Sequence, residues 1–138
     1  MCKTVTKQIS VSGWNINGAY RKTSGAKANK IHDDEFQKIK KSDVIFLSET
    51  HTSYSDILLF DGYKSFMNCH SMESSKKRGG LVVFIKRNVL SGITLIDKSS
   101  SEMMWFKLSG AFFRSQRDLY ICFIYISPVN STYVKTLD

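Results

Sequence analysis

Ile9, Val11 and Gly13 alternate with Ser10, Ser12 and Trp14, the period-two signature of a strand, here ending near Asn15. Residues 17–28 are polar and contain glycine, and read as a loop. From about residue 30 to 41 the spacing of Ile31, Phe36 and Ile39 predicts a helix with one broad apolar face. Asp33, Asp34 and Glu35 stand early in it and Lys38, Lys40 and Lys41 late, the order that complements a helix dipole. Residues 44–47 form a continuous apolar run, as expected of a strand buried on both faces. Strand, helix and buried strand in that order predict a sheet covered by helices rather than a simple meander. Further strands are expected at 64–68, 81–85, 92–96, 103–108 and 119–126, and the polar, basic stretch 69–78 reads as an exposed loop. No repeat, low-complexity tract or linker divides the chain, which predicts a single domain over 1–138.

Composition narrows the function classes. The chain has 138 residues, 42% hydrophobic and 12% aromatic, enough for a folded core and unlike a disordered tail. Twenty Lys and Arg against 12 Asp and Glu leave a net charge of +8, which favours a polyanionic partner without dictating one. Cys2, Cys69 and Cys122 are widely spaced, with no C-x-x-C, and Cys69-His70 has no second pair at zinc spacing. They read as reduced thiols of an intracellular protein. The first residues lack the apolar stretch of a signal peptide, and no apolar run approaches the length of a membrane span, so no membrane partner is expected. A nuclear site is compatible with this, although Lys76-Lys77-Arg78 is too short to serve as its signal.

Candidate chemistry gathers at strand ends. If the first strand runs on through Asn15 and Asn17, positions two apart share a side, and both amides face one site; the same residues beside Gly18 also suit a plain turn. Glu49 follows four apolar residues and is delivered at a sheet edge, where it is either a ligand-site carboxylate or an ordinary solvated charge. A hard cation such as Mg²⁺ needs only one or two carboxylates, with water and substrate phosphate completing its shell. Arg78-Gly79-Gly80 opens a strand from a basic loop and offers either a phosphate contact or a tight turn. Tyr125, late in its strand, presents its hydroxyl to a phosphate or packs in the core. His32, His51 and His70 have no partners at metal or triad spacing.

Taken in order, four segments resemble the endonuclease/exonuclease/phosphatase (DNase I-like) superfamily, and within it the endonuclease domains of non-LTR (LINE-type) retrotransposons. They are Trp14-Asn15-Ile16-Asn17-Gly18, the run from Asp43 to His51, the run from Arg78 to Ile85, and Tyr125-Ile126-Ser127-Pro128 with Ser131-Thr132-Tyr133. The resemblance implies an α/β (α+β) fold, a four-layer α/β sandwich of two mostly antiparallel sheets with helices outside. It also implies a hydrolase in which Mg²⁺, or Mn²⁺, assists the attack of water on a nucleic-acid phosphodiester, most naturally of DNA. On that resemblance Glu49 is the metal-ligand glutamate, Asn15 lies beside metal and phosphate, and Asn17 lies near the metal. Tyr125 contacts the scissile phosphate, and Arg78 contacts the nucleic-acid backbone.

The chain departs from the family pattern in its second half. It contains neither the Asp-x-Asn whose aspartate positions or deprotonates the attacking water nor the Asp-His pair whose histidine contacts the phosphate. After Asp118 the only acid is Asp138. The expectation is a partial domain, truncated after its N-terminal half, that binds metal weakly, is inactive alone and self-associates through an exposed sheet edge. Two alternatives stand beside it: a non-catalytic nucleic-acid-binding or structural remnant, and a phosphatase or phospholipid/inositol-phosphate phosphodiesterase of the same fold.

Overall fold

The computed structural model describes residues 8–23, 26–54, 56, 58–69 and 79–126. It is a mixed α+β structure, mostly strands in two sheets with a few short helices. The first sheet has strands β1 (Val11–Asn15), β4 (Val44–Ser48), β5 (Tyr63–Asn68) and β6 (Leu81–Lys86), in the order β1-β4-β6-β5. The second is the antiparallel meander β7 (Ile93–Asp97), β8 (Met103–Leu108) and β9 (Leu119–Ile124). A hairpin of β2 (Tyr20–Thr23) and β3 (Ala26–Asn29) precedes the short helix α1 (Asp34–Ile39).

The pairing that matters most for the site is β1 with β4. They run parallel, Val11 opposite Val44 through Asn15 opposite Ser48, and parallel neighbours require a crossover, supplied here by the hairpin and α1. Parallel strands finish at the same edge of a sheet, so Asn15 and the residue after Ser48, Glu49, emerge together. Beyond the strands the register continues as Ile16 N–H to Ser48 O (3.1 Å), Gly18 N–H to Glu49 O (2.6 Å) and Ala19 N–H to Thr50 O (2.8 Å).

Alternation along β4 and β6 divides the apolar residues between two cores. Ile45, Leu47, Val82 and Phe84 face Ile31, Phe36, Leu58 and Phe60, with the Phe36 and Phe60 rings edge-on, centroids 5.0 Å apart. Val44, Val83 and Ile85 face the second sheet, where they meet Met104, Phe106 and Phe123. Two cores on opposite faces explain why residues 44–47 read as an unbroken apolar run. One buried polar residue ties the sheets: Asn68 Nδ2 donates to Ser100 O (2.6 Å) and Met103 O (2.9 Å).

Three expectations change. The stretch read as a loop from 17 to 28 is largely the β2–β3 hairpin, which runs on to Asn29. The helix expected over 30–41 is a 3-10 turn, Lys30–His32, followed by α1 over Asp34–Ile39. Asp33 between them is extended (φ −70°, ψ 148°), so the apolar spacing is carried by two short pieces. The last strand ends at Ile124, and α2 (Gly110–Phe113), opened by Ser109 accepting from Phe112 N–H, had no periodic signal at four residues. The loop read over 69–78 lies, apart from Cys69, outside the described residues. Among the described residues no helix is long and apolar enough to cross a membrane.

Candidate cation and phosphate site

Asn15, Glu49 and Tyr125 meet at the common edge of the two sheets. Asn15 closes β1, Glu49 follows β4, and Tyr125 follows β9, where its N–H donates to Glu102 O at 3.0 Å. The Tyr125 hydroxyl donates to Glu49 Oε1, and the Asn15 side chain hydrogen-bonds the same phenol. Asn15 Oδ1 is engaged by the Asn17 N–H at 3.1 Å, which leaves its amide nitrogen as the donor toward Tyr125. Glu49 and Tyr125 are half-buried, whereas Asn15 and Asn17 are exposed.

The site's backbone is strained. Asn17 (φ 45°), Glu49 (φ 51°) and His51 (φ 51°) are all left-handed. Asparagine and histidine visit that region more readily than most residues, but for a glutamate it costs about 1–3 kcal/mol and persists only where neighbours over-determine it. Those neighbours are identifiable. Thr50 N–H donates to Gly80 O (3.2 Å) and His51 N–H to Gly79 O (2.9 Å). Gly80 has φ +88°, and a Cβ there would lie 2.5 Å from Thr50 Oγ1. Thr50 is fully buried and shares a 2.8 Å hydroxyl contact with Thr52. The Gly79-Gly80 pair therefore brings β6 against the Glu49–His51 turn; Arg78 itself lies outside the described residues.

Tyr125 is held neutral. The hydrogen bond to Glu49 pushes its phenol above the ordinary value of 10.0, helped by burial and the Glu49 charge and opposed by the Asn15 donor. Asn17 differs from its expected geometry. The strand stops at Asn15, so period-two alternation does not carry the two amides to one side, and Asn17 instead contributes its backbone N–H to Asn15. Lys30, read from sequence only as the start of a helix, donates from Nζ to Ile16 O (2.7 Å) and Asn17 O (3.0 Å). No local pattern announces that contact, because it joins residues 14 and 13 positions apart.

Among the described residues no group of three or more His, Cys, Asp or Glu is assembled. Mg²⁺ needs only one or two carboxylates, with water and substrate phosphate completing its shell, and this cluster offers one, Glu49, beside the Tyr125 phenol and the Asn15 amide. Cys69 is buried and its thiol pushed up by that burial, while Cys122 is partly exposed; both are free thiols. A scan against protein-family models finds no match to this chain, and a search of curated proteins returns none.

Proposed function

We propose that this edge is the cation- and phosphate-holding half of a phosphodiesterase site of the DNase I-like type, with nucleic acid, most naturally DNA, as the polyanion. The observation that carries the reading is the convergence of Asn15, Glu49 and Tyr125 from three separate strands onto one hydrogen-bonded cluster. Two facing sheets with a parallel β1–β4 pair also support the four-layer sandwich that the resemblance implies.

In this reading Glu49 would hold Mg²⁺ or Mn²⁺, Asn15 would turn an amide N–H toward a phosphate oxygen, and the single Tyr125 O–H, given to Glu49 Oε1 here, would turn to that oxygen once the carboxylate takes the cation. When bound, the cation draws electron density from the phosphoryl group and stabilises charge in the transition state. Tyr125 gives its proton as a hydrogen bond rather than transferring it, because a phenol with an ordinary pKa of about 10 is neutral at physiological pH. A positioned base is the part the sequence does not supply, since neither Asp-x-Asn nor Asp-His occurs in it. That part is worth roughly a hundred- to ten-thousand-fold in rate.

The test is a Mn²⁺ titration followed by paramagnetic broadening, paired with nicking of supercoiled plasmid. We expect broadening at Asn15 and Glu49 that Glu49→Gln removes, with nicking near background. Absence of Mn²⁺-dependent broadening would sink the reading. The +8 net charge favours a second one, nucleic-acid binding without turnover. Salt-sensitive DNA binding unaffected by Mn²⁺ and by Glu49→Gln would select it. Preference for a phosphoinositide or phosphomonoester over DNA in the same assay would redirect the substrate class.

A further inference from the structure

Lys30 belongs to none of the segments that point to phosphate chemistry, yet it grips the one that carries Asn15 and Asn17. Its ammonium takes the Ile16 carbonyl at 2.7 Å and the Asn17 carbonyl at 3.0 Å. Its own backbone N–H donates to Ala19 O at 2.9 Å. The N–H groups of Ile16, Gly18 and Ala19 point the other way, to the carbonyls of Ser48, Glu49 and Thr50. Residues 16–19 are therefore clamped from both sides, donors by the end of β4 and acceptors by Lys30.

The clamp encloses the left-handed Asn17, whose N–H reaches back to Asn15 Oδ1. That bond fixes which end of the Asn15 amide faces Tyr125. An ammonium suits this position because it has three donors and no acceptor. It satisfies two carbonyls at once without competing for the N–H groups.

We propose that Lys30 is a positioning residue for this site, its ammonium locking the 16–19 turn in the conformation that aims the Asn15 amide at Tyr125 beside Glu49. The inference deepens the phosphodiesterase reading and rests on it for its catalytic meaning, but its geometry is measurable without metal or substrate.

The experiment compares wild type with Lys30→Met, which keeps the apolar stem, and Lys30→Gln, which is shorter and uncharged. Amide exchange at Gly18 and Ala19 is read by ¹H–¹⁵N spectroscopy, together with the Asn15 side-chain amide signals assigned by their loss in Asn15→Ser. The expected result is exchange roughly tenfold faster in Lys30→Met, an intermediate change in Lys30→Gln, and displaced Asn15 signals in both, with β6 amides still protected. Wild-type exchange together with unmoved Asn15 signals overturns the proposal. So does faster exchange with unmoved Asn15 signals, since the lysine would then brace the turn without aiming the amide. If the methionine variant does not fold, the glutamine variant decides by the same criteria. Failure of the phosphodiesterase reading is seen separately, as absence of Mn²⁺ broadening in wild type, and leaves these signals unaffected.

Discussion

The Tyr125 hydroxyl donates to Glu49 Oε1, a bond between residues 76 positions apart that joins the second sheet to the end of β4. Asn15 donates to the same phenol from β1, so the cluster forms only when both sheets are assembled.

Removing the Glu49 charge reports on that cluster. The Glu49 hydrogen bond is the leading cause of the raised Tyr125 pKa, so Glu49→Gln lowers it toward 10.0. Ultraviolet titration of wild type and variant, with Tyr125→Phe identifying the relevant phenol, measures the change.

Alkaline stability follows from the same sign. A tyrosine whose folded pKa is raised contributes stability that is complete below its unfolded value and lost as pH climbs through the folded one. Tyr125 behaves so, and so does Tyr63, raised chiefly by burial and then by Asp43. The Tyr63 hydroxyl sits against the Lys40 and Ser42 carbonyls. Thermal melting should hold steady up to about pH 9–10 and fall above it, with Tyr63→Phe flattening the fall. A melting temperature unchanged above that range would contradict the assignment.

Asn68 is 3% exposed and spans the two sheets through Ser100 O and Met103 O. Asn68→Leu removes the amide that both carbonyls share, leaving Ser100 O only the longer Met103 N–H contact (3.3 Å), and we expect a loss of about 1–3 kcal/mol in urea unfolding.

Gly80 and Gly62 separate backbone strain from collision. Both have positive φ, but a Cβ at Gly62 meets nothing within 4 Å, whereas at Gly80 it lies 2.5 Å from Thr50 Oγ1. Gly80→Ala should therefore destabilise by about 1–3 kcal/mol more than Gly62→Ala. Equal losses in denaturant unfolding would show that the Thr50 contact relaxes freely.

Strand β9 pairs with β8 alone among the described residues, and its six residues carry no charge. Leu119, Tyr120 and Ile124 are each at least half exposed. Such an edge templates further strand pairing, so sedimentation should detect concentration-dependent self-association that Tyr120→Lys with Ile124→Lys reduces. A monomer at all concentrations would remove this partner.

Much of the sheet framework was legible. β4, β6 and β8 are dense apolar runs or strict alternations, and burial against a core forces one register on each. The hairpin, α1 and α2 were less so. Residues 17–28 have too little apolar periodicity to mark a hairpin, and α2 spans four residues, too short to express a helical period.

Chain chemistry by itself determined the residue types at the strand ends: an asparagine after β1's alternation, a glutamate after β4's apolar run, a tyrosine at the close of β9. Tertiary structure alone decided that they meet, because the parallel β1–β4 pair and the packing of one sheet on the other are long-range events with no local signature. It also decided that Asn17 turns left-handed and gives its backbone to Asn15, and that Lys30 holds that turn. Strain of this kind is sustained only by surrounding contacts, and those contacts exist only in the folded chain.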